Sequence, residues 1–201
     1  MEEILLATRN PDKVRELTAL LGDLGIRIRT LAEFPTAPEV EEDGMTCESN
    51  AIKKATEIAR ATGLPAVADD TGLEVDALGG RPGVFAARYA GESATYEDNC
   101  RKLLKELEGV PPARRTARFV TVAALAMPGG QSRLATGTLV GIIAEECTGS
   151  QGFGYDPLFF VPELGHTLAE LTAEEKNRIS HRAKAFRSMA DILRPLTVGK
   201  R

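Results

Sequence analysis

The sequence predicts an α/β fold built around a mixed β-sheet. Short apolar runs alternate with amphipathic helical patterns in the first half of the chain, and a strand-rich stretch follows. Alternating strands and helices favour parallel strands, whereas strands joined by a tight turn pair in the antiparallel direction. No repeat, low-complexity tract or linker divides the chain, so residues 1–201 are predicted to form a single domain.

The first strand and helix are marked by apolar pattern and by capping residues. Residues 3–8 form a short apolar run, which is typical of a buried strand. Asn10 is a favoured N-cap, Pro11 suits the first helical position, and Gly22 closes an apolar stripe at helical spacing. Residues 26–31 alternate in the manner of a half-buried strand, so a second strand is predicted there.

A loop and a second helix separate these strands from the next apolar run. Residues 32–45 contain two prolines and an acidic run, which predicts a loop. Thr46 could cap a helix that continues to about Thr62. The apolar run 65–70 predicts the next strand, and residues 73–78 predict another strand after it.

The second half of the chain begins with a capped helix and continues with strands. Thr95 and Asp98 resemble a capping box, which predicts a helix after them. Residues 117–127 and 132–145 flank a Pro-Gly-Gly turn and are predicted to form an antiparallel pair. Residues 157–161 form one further predicted strand.

Composition and charge exclude several classes of function. The 201-residue chain is 43% hydrophobic with a net charge of −4, so no basic field would attract nucleic acid or an anionic membrane. Three widely spaced cysteines and two histidines argue against a disulfide framework or a histidine-built metal centre. Neither a signal peptide nor an apolar run of roughly 18 residues is evident, so we expect a soluble cytoplasmic protein.

Residues 8–13 (TRNPDK) join the first strand to the first helix and are a candidate phosphate-binding segment. A helix N-terminus presents unpaired backbone N–H groups and the positive end of the helix dipole. Lys13 lies in the first turn, where a cation is disfavoured unless an anion lies nearby, and Asn10 could bind ligand as well as cap. The alternative is an ordinary capped helix with an exposed lysine. The segment lacks the pattern of a Walker loop.

Two acidic segments, EVEEDG at 39–44 and ADDTG at 68–72, are candidates for binding Mg²⁺. This ion prefers oxygen ligands and commonly uses only one or two carboxylates, with water and phosphate oxygens completing the shell. Asp69 and Asp70 end a predicted buried strand, where their mutual repulsion would call for a compensating cation. Strand ends are also where open α/β sheets bind ligands. The alternative for the first segment is a solvated acidic loop.

The segment GSQGFGYDP, residues 149–157, is a candidate site for a nucleotide base. Its three glycines permit positive φ or a close backbone approach. Phe153 and Tyr155 offer faces on which a base could stack, and Asp156 could accept from a ring N–H. The alternative is a glycine-rich turn whose aromatic side chains pack in the core.

The segment EEKNRISHRAKAF contains three cationic or titratable candidates for ligand binding. On one continuous helix Lys176, His181 and Arg182 would point in different directions around the axis. A helix break near Asn177, with Ser180 as the N-cap of a new helix, would remove this conflict. We therefore predict the break; the alternative is a basic, solvent-facing helix surface.

Taken in order, these segments resemble the inosine/xanthosine triphosphate pyrophosphatase family. LATRNPDKVREL, EEDGMTCESNAIKKA, ADDTGLEVDALGGRPGVFAARYAG, GFGYDPLF and SHRAKA carry the likeness, which extends from residue 4 to about residue 190. The resemblance implies an elongated α/β fold with a strongly twisted mixed sheet flanked by helices and two lobes around a central nucleotide cleft. It also implies a Mg²⁺-dependent homodimer that converts ITP, dITP or XTP to the nucleoside monophosphate and pyrophosphate.

The resemblance also implies roles for individual residues. Asp70 corresponds to the catalytic base and a metal ligand, and Glu41 to the other metal ligand. For Asp69 we expect either support of Asp70 or the fixing of a water molecule that lies outside the metal's direct ligands. Among the substrate-binding positions Lys13 is the main cation for phosphate, whereas Arg9 departs from the small residue that members often carry. The substrate-binding positions are Thr8, Arg9, Asn10, Pro11, Asp12, Lys13, Thr71, Phe153, Gly154, Tyr155, Asp156, Lys176, His181 and Arg182.

Selectivity would depend on the 6-oxo group of the base. Hypoxanthine and xanthine present an acceptor where adenine presents an amino donor, so donors at His181 or Arg182 would favour the former. Two alternatives stay open on the sequence alone. One is a nucleotide-binding regulatory module without hydrolysis, and the other is a pyrophosphatase for pyrimidine or other modified nucleotides.

Overall fold

A computed structural model describes residues 1–197 and has a mixed α/β fold. The helices are α1 (Pro11–Leu21), α2 (Cys47–Thr62), α3 (Tyr96–Glu106), α4 (Ala173–Ile179) and α5 (His181–Leu193). The strands are β1 (Glu3–Leu6), β2 (Arg27–Thr30), β3 (Ala66–Val75), β4 (Pro82–Gly83), β5 (Thr116–Ala126), β6 (Ser132–Ile143), β7 (Phe159–Val161) and β8 (His166–Thr167). None of the helices within residues 1–197 combines the length and apolar character needed to cross a bilayer.

Within residues 1–197 the strands form one open, twisted sheet of eight strands, which confirms the predicted α/β class with a mixed sheet. The strand order is β2-β1-β3-β5-β6-β7-β8, and β4 pairs with β3 outside this path. β1 pairs in parallel with both β2 and β3, while the pairs β6–β7 and β7–β8 are antiparallel. The predicted pair on either side of the Pro-Gly-Gly turn is present as the neighbours β5 and β6.

The chain divides into two compact units. Among the described residues, the first contains 1–70, 121–137 and 182–197, and the second contains 71–120 and 138–181. The sequence-based prediction of one domain with two lobes that do not fold independently stays a prediction.

In the first unit, helices pack on both faces of the sheet. Alternate residues of β1 point to opposite faces because the side-chain period of a strand is two. Ile4 and Leu6 belong to one core with residues of α1 and α5, whereas Leu5 belongs to another core with residues of α2. Parallel pairing of β1 with β3 therefore brings the start of α1 to the same edge as the middle of β3.

The predicted helix caps are confirmed. The Asn10 side chain accepts hydrogen bonds from the backbone N–H groups of Asp12 and Lys13, and Pro11 follows as the first helical residue. Thr46 caps α2, which ends at Thr62 as predicted. The capping box that begins at Thr95 likewise opens α3.

One strand prediction is wrong. Residues 65–70 and 73–78 do not form two strands, because β3 continues without interruption from Ala66 to Val75 and a short 3-10 turn follows. Asp69 and Asp70 consequently lie inside a strand, not at its carboxyl end. Since successive side chains point to opposite faces, the two carboxylates have separate surroundings. That separation reduces the repulsion that the sequence alone suggested.

The second unit has a core of its own. Leu73 of β3, Leu103 of α3, Phe119 of β5 and Phe159 of β7 are all buried in it. The strand predicted at residues 157–161 is present as the shorter β7. This core supports the glycine-rich segment that precedes β7.

The predicted helix break is confirmed between α4 and α5. Ser180 has an extended backbone, with φ −61° and ψ 155°, and separates the two helices. The break occurs after Ile179, two residues later than Asn177. His181 and Arg182 therefore lie in the first turn of a new helix, as predicted.

Candidate active site

In the first unit, the junction of β1 and α1 places a cation beside a buried carboxylate. The Thr8 hydroxyl oxygen accepts from the Asn10 N–H at 3.2 Å, which helps to fix the turn before the helix. Lys13 Nζ lies 3.2 Å from Asp69 Oδ2. Burial lowers the pKa of Lys13, and the charge of Asp69 opposes this shift. The alternative of an ordinary exposed lysine is therefore wrong.

Asp69 lies among three cationic side chains. Its Oδ2 accepts from Arg182 Nε at 3.1 Å, and its backbone oxygen accepts from Lys54 Nζ at 2.7 Å. Burial alone would raise the pKa of Asp69, but the charges of Lys13, Arg182 and Lys54 hold it well below its usual range. This carboxylate is therefore ionised at neutral pH.

Asp70 has the opposite environment, on the other face of β3. Asn50 Nδ2 donates to Asp70 Oδ2 at 3.0 Å. Burial raises the pKa of Asp70; Lys54 acts against this shift and the negative charge of Glu42 adds to it. Adjacent carboxylates whose pKa values are displaced in opposite directions are typical of catalytic sites, where one acts as a base and the other keeps its charge.

The acidic loop contributes Glu42 to this cluster. Glu42 Oε1 lies 2.9 Å from Lys54 Nζ, and its charge reaches Asp70. The neighbouring Glu41 is exposed, and its charge acts on Lys53. Glu41 as a metal ligand stays a prediction, whereas Glu42 is the acid that the structure connects to Asp70.

The carboxylates of Asp70 and Glu42 fit a small divalent cation. Both supply hard oxygen ligands, and Mg²⁺ commonly needs only one or two carboxylates beside water and phosphate oxygens. A cation at this position would also relieve the repulsion by which Glu42 raises the pKa of Asp70. Within residues 1–197 no group of three or more His, Cys, Asp and Glu side chains could hold a metal ion.

The second unit contains a separate cluster around Asp156. Lys176 Nζ lies 2.6 Å from Asp156 Oδ2, and both side chains are buried. The same carboxylate oxygen accepts from the Phe153 N–H at 2.9 Å. Lys176 Nζ also lies 5.0 Å from the centroid of the Phe153 ring, within the range of a cation–π contact. The three residues therefore hold one another in place.

The two aromatic residues of the glycine-rich segment differ in exposure. Tyr155 is 5% exposed, and its hydroxyl donates to the Ala86 carbonyl at 2.8 Å. The expectation that its ring offers a stacking face is wrong, because the ring packs in the core. Phe153 is only half-buried and, with Gly152 and Gly154, lines a groove of about 450 Å³.

The predicted conformational role of the glycines is confirmed. Gly149, Gly152 and Gly154 have φ values of 86°, 73° and 65°, which are costly for other residues. At Gly152 a Cβ atom would also lie 2.1 Å from Asp156 Oδ2 and 3.2 Å from Lys176 Nζ. The absence of a side chain there lets the Asp156–Lys176 pair close.

The opening turn of α5 carries two more of the predicted residues. His181 is 3% exposed, and its ring stacks on Phe119 with centroids 4.3 Å apart. Arg182 is also buried, and its guanidinium contacts Asp69 and Glu16. Contact of His181 and Arg182 with substrate stays a prediction.

The remaining predicted residues occupy the β1–α1 turn and β3. Arg9 is exposed, and its Nη2 donates to the Ala37 carbonyl at 2.8 Å, so it tethers the loop after β2. Asp12 pairs with Arg15. Thr71 follows Asp70 in β3 and is half-buried.

Three residues that contact Asp69, Asp70 or Arg182 do not stand out in the sequence as candidates: Asn50, Lys54 and Glu16. Asn50 and Lys54 are four residues apart on α2, a spacing that places both on one helix face. Their presence on a buried face, where polar residues need partners, is a signal that could have identified them. Glu16 gives no such signal, because its partner Arg182 is distant in sequence.

The fold and the residues around the middle of β3 define an α/β protein in which cationic side chains from three helices surround buried carboxylates. The model of the Ham1 family matches residues 4–192, and the chain belongs to this family. A dITP/XTP pyrophosphatase of Geobacter sulfurreducens is 53% identical over 193 residues, which cover 96% of this chain and 97% of the relative. A dITP/XTP pyrophosphatase of Geobacillus kaustophilus is 50% identical over 200 residues, covering 100% and 98%.

Solved structures give the same result for the fold. A HAM1 protein from Coxiella burnetii superimposes with a TM-score of 0.87 at 44% identity, covering 96% of this chain and 98% of that one. The family resemblance inferred from the motifs is therefore confirmed.

Replacing Gly152 with alanine should destabilise the protein more than the same change at Gly154. Both positions have positive φ, so each substitution costs about 1–2 kcal/mol in backbone strain. Only at Gly152 would the new methyl group collide with the Asp156–Lys176 pair, and nothing lies within 4 Å at Gly154. Urea unfolding should show an additional loss of at least about 1 kcal/mol for Gly152→Ala. Equal losses would mean that the pair does not depend on this close approach.

Proposed function

We propose that this protein hydrolyses the nonstandard purine nucleotides ITP, dITP and XTP to the nucleoside monophosphate and pyrophosphate, with Mg²⁺ as cofactor. The observation that carries the proposal is the pair of buried aspartates whose pKa values are displaced in opposite directions beside Lys13. Family membership and relatives named dITP/XTP pyrophosphatase, at 53% and 50% identity, support the substrate class. The enzyme would remove these nucleotides from the cellular pool.

Asp70 and Glu42 are the residues that would hold Mg²⁺. We propose Glu42 in this role because its charge acts on Asp70, while Glu41 is exposed. When bound, the ion would supply positive charge against the phosphate oxygens, which phosphoryl transfer requires. Glu41 remains the alternative that the resemblance suggests.

Different residues of the first unit are proposed to bind the phosphates, to accept the proton and to position Lys13. The ammonium of Lys13 would bind the phosphates, helped by the positive end of the α1 dipole and by the side chains of Thr8 and Asn10. Asp70 would accept the proton of the attacking water. Asp69 remains ionised and holds Lys13 in position.

The cluster of the second unit is proposed to bind the base. The half-buried ring of Phe153 is held by Lys176 and the backbone contact to Asp156, which favours stacking on a planar ligand. Gly154 and the backbone of Tyr155 would complete this surface. A donor at His181 would favour a 6-oxo group over the amino group of adenine.

Three further properties are proposed on the family resemblance. The protein would be a homodimer and would act in the cytoplasm. Its partner would be a nucleoside triphosphate and not a nucleic acid or a membrane, in keeping with its net charge of −4.

Hydrolysis should be tested with purified protein, Mg²⁺ and a panel of ITP, dITP, XTP, GTP and ATP. We expect pyrophosphate from the first three and little turnover of ATP, whose 6-amino group would face donors. GTP shares the 6-oxo group, so its turnover measures discrimination at the 2-amino group. Asp70→Asn should lower kcat by at least about 100-fold because it removes the proton acceptor. Thermal unfolding should show that the variant is folded. Asp191→Asn, a matched change at an exposed position on α5, should keep wild-type activity.

Two outcomes would contradict the proposal. Release of orthophosphate would show that another bond is cleaved. Wild-type turnover by Asp70→Asn would remove this residue as the base.

Glu42→Gln and Glu41→Gln should distinguish the two candidate metal ligands. Calorimetry without nucleotide should show that Glu42→Gln weakens Mg²⁺ binding by about tenfold or more, whereas Glu41→Gln changes it by less than about twofold. The Mg²⁺ concentration for half-maximal turnover should shift in parallel. The reverse ranking would restore Glu41 as the ligand.

A further inference from the structure

Four ionised side chains of the first unit form a linear network of ion pairs. Glu16 Oε2 lies 2.7 Å from Arg182 Nη1, and Arg182 Nε lies 3.1 Å from Asp69 Oδ2. The same Asp69 oxygen lies 3.2 Å from Lys13 Nζ. Negative and positive charges alternate along this network, and its last member is Lys13, which is proposed to bind phosphate.

These four side chains are largely buried, so solvent does little to screen their charges. The side chains of Arg182 and Asp69 are 4% and 0% exposed, and those of Glu16 and Lys13 are each 17% exposed. Buried charges interact more strongly than surface charges because water is excluded from them. Removal of one member should therefore affect the others.

Glu16 balances a charge that would otherwise act on Lys13. Asp69 Oδ2 is shared between Arg182 and Lys13, and the charge of Arg182 disfavours the ammonium of Lys13. With Glu16 present, Arg182 has a second carboxylate on its other nitrogen. Without that carboxylate, Asp69 would be drawn toward Arg182 and Lys13 would lose part of its anchor.

We propose that Glu16 is a positioning residue for phosphate binding, which acts through Arg182 and Asp69 on Lys13. This inference rests on the proposed function, in which Lys13 binds the triphosphate of the substrate. Glu16 itself is not required to touch substrate. Its effect should therefore appear in nucleotide affinity more than in the chemical step.

Glu16→Gln tests the proposal because it removes the charge and keeps an oxygen that can accept from Arg182. We expect KM for ITP to rise about tenfold, as for loss of a hydrogen bond to a charged group, and kcat to change by less than about threefold. Glu16→Asp, which keeps the charge, should recover part of the loss. As a control, Asp191→Asn removes an exposed carboxylate of α5 that pairs with Arg194 just beyond the helix, and it should leave KM unchanged.

A double-mutant cycle separates positioning from general destabilisation. In a Lys13→Ala background, Glu16→Gln should raise KM by less than about twofold, because the residue through which it acts is missing. Thermal unfolding of each variant should confirm that it is folded. Equal effects of Glu16→Gln in both backgrounds, or a loss confined to kcat, would overturn the proposal.

Binding of inorganic tripolyphosphate, measured by calorimetry, provides a readout that does not depend on turnover. If the wild-type protein binds tripolyphosphate but does not hydrolyse ITP, the proposed function is contradicted. The role of Glu16 is still tested in that case, by comparing tripolyphosphate binding between the wild type and Glu16→Gln. Weaker tripolyphosphate binding by Glu16→Gln supports the proposal. Unchanged binding, or no binding by the wild type, overturns it.

Discussion

Two neighbouring carboxylates are buried in the interior of β3, and much of the first unit is arranged around them. A buried carboxylate is stable as an anion only if cations or hydrogen bonds replace the water that it has lost. Asp69 obtains this compensation from cations that three separate helices supply: Lys13 from α1, Lys54 from α2 and Arg182 from α5. Asp70 receives less of it, so its proton affinity rises. Unequal compensation turns two identical residues into groups with different chemistry.

The local features of the fold could be predicted from the sequence, because short-range signals determine them. Asn10 and Pro11 mark the start of α1, and Ser180 marks the break before α5. The continuity of β3 through Asp69 and Asp70 could not be predicted, since two adjacent acids usually indicate a strand end or a turn. Their partners come from distant parts of the chain, and these partners are what make a buried pair tolerable.

In the candidate site, too, the sequence could predict what local motifs determine but not what depends on distant partners. The motifs indicated Lys13, Asp70 and Lys176 as candidates, but motif position could not decide between two adjacent acids of a loop. Glu42 is distinguished from Glu41 only by its contact with Lys54 and its charge on Asp70. Burial likewise separates the two aromatic rings of the glycine-rich segment, which look equivalent in the sequence. Where function depends on which way a side chain points, packing carries information that composition and spacing lack.

The central claim is that Asp69 and Asp70 differ in proton affinity within one strand. The most direct measurement is a pH titration followed by NMR of the carboxyl carbons of both residues, assigned with Asp→Asn variants. The account predicts that Asp69 stays ionised well below the ordinary aspartate value of about 3.9, and that Asp70 becomes protonated above it. If both carboxylates titrated together near that ordinary value, the electrostatic division of the site would be contradicted.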